Sequence, residues 1–134
     1  MATALTILHD DADIVAVFKP AGLATIPGRA ETDSVLESIA AQLGLPCTGT
    51  ADPRIRVVHR LDKDTSGVLL FAKHIDAQRH LSHQFQNNTI EKEYLALVIG
   101  RPPADDGDID DFVAHLLPKY LVGRWTSFLT KLLV

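Results

Sequence analysis

The stretch VVHRLDKDTSGVLLFAK, residues 57–73, places a cluster of charged side chains between two apolar runs. The runs 57–58 and 68–71 are typical of β-strands, because β-branched and aromatic side chains suit a pleated, half-buried surface. The charged residues are therefore expected where two core strands meet. A carboxylate at such a junction loses hydration unless a cation accompanies it, and Arg60 is the nearest candidate partner for Asp62. We interpret Asp62 as an ionised carboxylate that can act as a nucleophile or a base.

The composition indicates one soluble globular domain. The chain has 134 residues, of which 46% are apolar and 22% are charged, values that are ordinary for such domains. There is no run of 18 apolar residues, and the start of the chain lacks the early positive charge of a signal peptide. The single cysteine, Cys47, cannot form an internal disulfide. These features predict a cytoplasmic protein without a membrane span.

The charge of the chain is unevenly distributed. The formal net charge is −4, yet the segment from Arg54 to Lys92 holds seven Lys or Arg against four acidic residues. The same segment contains four histidines, which gain charge near a phosphate backbone. Because nucleic-acid binding depends on local rather than total charge, this segment is a candidate RNA-binding face. The alternative interpretation is a solvated helix and loop.

Hydrophobic periodicity predicts alternating short elements. Residues 5–8 and 14–18 are expected to form strands, and a strand is also expected within 92–100. The segment TDSVLESIAAQLG predicts a helix, since Ser34 and Glu37 have capping-box spacing and Gly44 ends it. A second helix is expected over 74–88. This order favours an α+β or mixed-sheet fold over a strict βαβ repeat.

Two chemical readings of the central stretch do not involve RNA. The segment DKDTS resembles the D-x-D-x-T/V motif of haloacid-dehalogenase-like phosphatases, which implies Asp62 as phosphoryl acceptor, Asp64 as acid and magnesium as cofactor. Alternatively, His80 and His83 have the i, i+3 spacing of a helical metal site, with His74 upstream. No carboxylate or cysteine completes that coordination set in the sequence.

A third interpretation accounts for more of the chain. The segment HRLDKDTSG, with KPAGL before it and KEYLALV and GDI after it, resembles the RluA-like pseudouridine synthases of the ribosomal large-subunit type. The resemblance extends from about residue 5 to residue 109. It implies a mainly antiparallel sheet with flanking helices, part of a pseudouridine synthase catalytic domain. It also implies that uridine in structured RNA, ribosomal or transfer RNA, is isomerised to pseudouridine without a metal or other cofactor.

The resemblance assigns roles to particular residues. It implies that Asp62 is the catalytic aspartate, that Arg60 helps to displace the target base, and that Tyr94 lies beside the flipped uracil. An aromatic ring can stack on a detached base, and a phenol can move a proton. His59 and Lys19 are predicted to bind the RNA substrate, although a solvated strand end is the simpler reading of Lys19.

The chain departs from the family pattern near its end. We expect residues 1–111 to form the N-terminal part of the catalytic domain and residues 112–134 to form a divergent tail of the same domain. The apolar residues of the tail suggest a short helix, interrupted by Pro118 and Gly123. The basic motif that the family places downstream is not seen, so low activity is expected of this chain. The competing hypothesis is a non-catalytic RNA-binding fragment.

Overall fold

The computed structural model describes residues 4–28, 33–47 and 49–95, together with the short strands 107–109, 123–125 and 131–132. The chain divides into two compact units, residues 1–89 and residues 90–134. The first unit contains the central stretch and is described almost completely. The predicted change of character at residue 112 falls outside the described residues and stays a prediction.

The first unit is built on a four-stranded antiparallel sheet with the strand order β1-β2-β4-β3. Its strands are β1 (Thr6–Asp10), β2 (Ile14–Lys19), β3 (Arg56–Val57) and β4 (Gly67–Ala72). Together with two helices, this sheet confirms the predicted α+β class. The strand expected at 57–58 lies one residue earlier in the chain.

The two central strands supply one side of the core. β2 pairs with β4 along its whole length, from Ile14 opposite Ala72 to Lys19 opposite Gly67. Side chains alternate between the faces of a strand, so every second residue points to the same face. Four apolar residues on one face have no exposed surface: Val15, Val17, Leu69 and Phe71. This alternation places Lys19 on the same face as Val15 and Val17.

The first helix, α1 (Val35–Leu43), begins and ends as the sequence predicts. The Ser34 hydroxyl accepts a hydrogen bond from the Glu37 N–H at 3.2 Å. Gly44 ends the helix in the left-handed conformation, with φ of 66°, which costs glycine little because it has no Cβ. Four apolar residues of the helix are buried and add to the core: Val35, Leu36, Ile39 and Ala40.

The second helix, α2 (Ile75–Gln86), begins one residue after its N-cap, His74. The ring of His74 accepts from the Ala77 N–H at 3.3 Å and lies 2.8 Å from an Asp13 carboxylate oxygen. The apolar residues Ala77, Leu81 and Phe85 of α2 are half-buried, and its bounds confirm the helix expected over 74–88. Contacts with β4 and β3 hold α2 against the sheet.

The second unit is described only as four short strands that pair in two antiparallel ribbons. β5 (Tyr94–Leu95) pairs with β8 (Lys131–Leu132), and β6 (Gly107–Ile109) pairs with β7 (Gly123–Trp125). β5 confirms the start of the strand expected within 92–100. The short helix expected in the tail is wrong at positions 123–125 and 131–132, because the backbone there pairs with other strands. Across the described part of the chain, no helix has the length and apolarity that crossing a membrane requires.

Candidate active site

The charged residues of the central stretch lie on the loop that joins β3 to β4. The loop turns at Asp62, where the Thr65 N–H donates to the Asp62 carbonyl oxygen at 3.0 Å. Four charged side chains of this loop are exposed to solvent: Arg60, Asp62, Lys63 and Asp64. We name residues 59–66 the central loop.

The exposure of Asp62 corrects the expectation that it is desolvated beside Arg60. Within the part of the chain that the structure describes, no ion pair or hydrogen bond joins the Asp62 carboxylate to another side chain. The carboxylate is exposed to solvent, so there is no burial for a paired cation to offset. Its oxygens are accordingly open to a substrate.

Lys19 is buried beneath the central loop and binds it through the backbone. The side chain has no exposed surface, and its ammonium donates to the carbonyl oxygens of Pro20, Lys63 and Thr65 at 2.9, 2.7 and 2.7 Å. An ammonium has three N–H donors, so these bonds use all of them. The reading of Lys19 as a solvated strand end is wrong, and its burial argues against direct contact with an RNA phosphate.

Electrostatics connects Lys19 to the acidic residues of the loop. Burial lowers the pKa of Lys19, because the charged form loses hydration. The negative charges of Asp64 and Asp62 act in the opposite direction and favour the ammonium. The loop therefore supplies both the carbonyl acceptors and the opposite charge that make a buried lysine tolerable.

The start of the central loop is held by residues that follow β2. The buried Thr25 hydroxyl donates to the Leu61 carbonyl oxygen at 2.7 Å and lies 3.2 Å from the Leu61 nitrogen, from which it accepts. The Gly22 N–H donates to the Lys63 carbonyl oxygen at 2.9 Å. Gly22 has a φ of 85°, a conformation that glycine adopts readily because it has no Cβ.

His59 contacts the protein rather than facing outward. Its Nε2 accepts from the Leu70 N–H at 3.0 Å, and its ring stacks on Phe85 of α2 with centroids 4.4 Å apart. This N–H group belongs to β4 and lies one residue beyond the last pair between β3 and β4, which is Val57 with Phe71. His59 thus provides a hydrogen-bond acceptor for the β4 backbone where the chain leaves the sheet. Its predicted contact with RNA stays a prediction.

The remaining sequence-predicted residues are distributed over both units. Arg60 is exposed in the first unit, two positions before Asp62. Tyr94 lies in β5 of the second unit, and its role beside the target base stays a prediction.

The basic segment is only partly a free surface. Arg54 and Arg79 are exposed, but Arg56 is mostly buried. The Arg56 guanidinium pairs with Asp52 at 2.9 Å and donates to the Gln78 side-chain oxygen at 3.4 Å. Arg56 therefore joins β3 to α2, and it is not counted among the candidate RNA contacts.

Two of the three histidines proposed as metal ligands, His74 and His80, have other side-chain partners. His74 caps α2, and the His80 ring lies 2.8 Å from the Gln84 amide nitrogen. In the described ranges, no three His, Cys, Asp or Glu side chains are arranged to hold a metal ion. The geometry does not support the metal-site alternative.

Sequence reasoning missed Thr25 and misread Lys19. The signal for Lys19 was present, since it lies two residues after Val17 and four after Val15, which places it on the buried face of β2. No comparable signal exists for Thr25, because its partner Leu61 is 36 residues away in the sequence.

Comparison with known proteins agrees with this geometry. Residues 13–120 match the family described as RNA pseudouridylate synthase. The chain is 41% identical over 104 residues to the ribosomal large subunit pseudouridine synthase D of Nitrosomonas europaea, covering 78% of this chain and 30% of that protein. It is 42% identical over 106 residues to the dual-specificity RNA pseudouridine synthase RluA of Vibrio vulnificus, covering 78% and 39%.

A solved structure shows the same relationship. The human RNA pseudouridylate synthase domain containing 4 matches with a TM-score of 0.62 and 29% identity, covering 78% of this chain and 38% of that chain. This chain therefore spans between 30% and 39% of the length of these three relatives. The family match, the relatives and the shared fold together show that the chain belongs to the RluA-like group of the RNA pseudouridylate synthase family.

Proposed function

We propose that this chain isomerises uridine to pseudouridine in structured RNA, with Asp62 as the catalytic aspartate. The observation that carries the proposal is the contrast within the central loop. The Asp62 carboxylate is exposed and unengaged, whereas the backbone on both sides of it is held by the buried residues Lys19 and Thr25. A carboxylate that reacts must be both available and held in place.

The chemistry requires few protein groups. The bond from the ribose C1′ to N1 of uracil breaks, the base turns, and a bond from C1′ to C5 forms. The proton on C5 is lost, and N1 gains a proton. An ionised Asp62 can attack C1′ as N1 leaves and is itself displaced when C5 bonds to C1′, or it can accept a proton from the sugar as N1 leaves and return it when C5 bonds. The reaction breaks and forms bonds to carbon and nitrogen and transfers protons, with no net oxidation or reduction. We therefore propose no cofactor.

The other motif residues receive roles that follow their positions. The exposed Arg60 can enter the space that the target base leaves when it is flipped out of the stack, which an enzyme acting on a base must achieve. We assign Tyr94 to stacking on the flipped ring. His59 and Lys19 support the central loop rather than bind RNA directly.

The substrate is proposed from the relatives. One relative is named a ribosomal large subunit pseudouridine synthase, and another is named a dual-specificity RNA pseudouridine synthase. We propose a structured ribosomal or transfer RNA in the cytoplasm, bound in part through the exposed Arg54 and Arg79.

The test is release of tritium from 5-tritiated uridine in structured RNA, with protein in excess so that a slow single turnover is still measured. We expect product from the native chain and none from Asp62→Asn. Asp33→Asn is the matched control, because it makes the same change on an exposed side chain outside the central loop. It should retain most of the rate.

Two outcomes would contradict the proposal. Equal product from native chain and Asp62→Asn would remove Asp62 from the chemistry. RNA binding by the native chain without any tritium release would favour the non-catalytic RNA-binding alternative.

A further inference from the structure

Thr25 lies at the point where the segment after β2 meets the central loop. Thr25 is only 3% exposed, and its hydroxyl makes two hydrogen bonds, both to Leu61. The hydroxyl donates to the Leu61 carbonyl oxygen at 2.7 Å and accepts from the Leu61 N–H at 3.2 Å. One side chain therefore satisfies both backbone groups of Leu61, which is itself buried.

Thr25 is in turn held by α1. The N–H groups of Val35 and Leu36 donate to the carbonyl oxygens of Ala24 and Thr25 at 2.9 and 3.1 Å. N–H groups in the first turn of a helix have no partner within the helix, so they need acceptors from elsewhere. The rigid start of α1 is thus connected through Thr25 to the central loop.

The geometry points to Thr25 as a positioning residue for Asp62, an inference that rests on the proposed function for the role of Asp62. The Leu61 carbonyl belongs to the peptide group that joins Leu61 to Asp62. Because a peptide group is planar, fixing its oxygen also fixes the direction of the Asp62 N–H and the placement of the Asp62 Cα. The hydroxyl of Thr25 sets the plane from which the Asp62 side chain projects.

The chemistry of the hydroxyl distinguishes the useful variants. Valine has nearly the shape of threonine but can neither donate nor accept, so Thr25→Val leaves both Leu61 groups buried without this partner. Serine keeps the hydroxyl, so Thr25→Ser should retain both hydrogen bonds to Leu61. Thr6→Val makes the same chemical change at an exposed position of β1 and serves as the control.

Amide hydrogen exchange of the 134-residue chain tests, without turnover, whether the Thr25 hydroxyl holds Leu61 in place. In the native chain, the Leu61 amide should be protected although it lies outside the strands. Thr25→Val should speed its exchange by about tenfold or more, while amides in the β2–β4 ladder keep their rates. Thr25→Ser and Thr6→Val should leave the Leu61 amide protected.

Several results would overturn the inference. Fast exchange of the Leu61 amide in the native chain would do so even if Thr25→Val failed to fold. An unchanged Leu61 rate in Thr25→Val, or an equal rise in the ladder amides, would show that the hydroxyl does not hold the loop locally.

The reaction supplies an independent measurement. In single-turnover tritium release, Thr25→Val should lower the maximal rate about tenfold or more with half-saturating RNA concentration unchanged, and Thr25→Ser should restore the rate. Weaker RNA binding at an unchanged maximal rate would overturn the positioning role. If the native chain forms no product, the proposed function is contradicted. The hydrogen-exchange result then decides separately whether the Thr25 hydroxyl holds the central loop.

Discussion

Two loops of the first unit, the β1–β2 turn and the central loop, use their aspartates in opposite ways. In the β1–β2 turn, the Asp11 carboxylate accepts from the N–H groups of Asp13 and Ile14, each at 2.8 Å, and lies 2.7 Å from His9 Nε2. In the central loop, the Asp62 carboxylate has no such partner among the described residues. The backbone there is held by Lys19 and Thr25 instead.

The difference separates a structural aspartate from a candidate catalytic one. The hydrogen bond with His9, followed by the two backbone bonds, lowers the pKa of Asp11 to about 2 from its ordinary value of 3.8. A carboxylate bound in this way stabilises its own turn and has few lone pairs left for a substrate. The lone pairs of the Asp62 carboxylate remain available because other side chains hold the backbone of the central loop. Three predictions test this contrast, beginning with the largest expected effect.

Removing the buried ammonium should have the largest effect on stability. Lys19→Met removes the ammonium donor from three carbonyl oxygens, those of Pro20, Lys63 and Thr65, of which Lys63 keeps the Gly22 N–H. Since buried polar groups without partners are costly, we expect the free energy of unfolding to fall by about 2–4 kcal/mol. Urea unfolding followed by circular dichroism measures this change.

Arg60→Met is the control, because Arg60 is exposed on the same loop. We expect a clearly smaller change from it. Equal effects of the two substitutions would show that the loop is not held from beneath by Lys19.

The turn should show a smaller effect that depends on pH. The folded-state pKa of Asp11 lies below the unfolded value, so its ionised form adds stability above about pH 3.8. That contribution is lost as the pH falls through about 2. The difference in urea midpoint between the native chain and Asp11→Ala should therefore shrink between about pH 4 and about pH 2.

A difference that stays constant across this range would contradict the account of the turn. Direct titration of the Asp11 carboxyl carbon by NMR gives a second reading of the same quantity. A midpoint near 3.8 would show that the three bonds do not form in solution.

Much of the fold could be predicted from local sequence patterns. The alternation of β2 and β4, the caps of α1 at Ser34 and Gly44, and the apolar face of α2 all depend on residues close together in the chain. The motif around Asp62 identified the family for the same reason, since its residues are adjacent.

The supports of the central loop could not be predicted in this way. Lys19 binds carbonyls 44 and 46 residues away, and Thr25 binds a residue 36 positions away. His59 illustrates the same limit, because its acceptor role depends on an N–H of β4 and on Phe85 of α2. Charge alone suggested RNA contacts for Lys19 and His59, but it could not predict the burial of Lys19 or the protein contacts of His59.

A crossed comparison of Asp11→Ala and Asp62→Ala tests the central claim most directly. Each preparation is measured for urea unfolding at neutral pH and for single-turnover tritium release from 5-tritiated uridine in RNA. We predict that Asp11→Ala unfolds at lower urea and keeps the native rate of release. Asp62→Ala should keep its unfolding free energy within about 0.5 kcal/mol, as exposed residues usually do, and release no tritium. Release by Asp62→Ala, or a loss of stability that accompanies its loss of activity, would contradict the account.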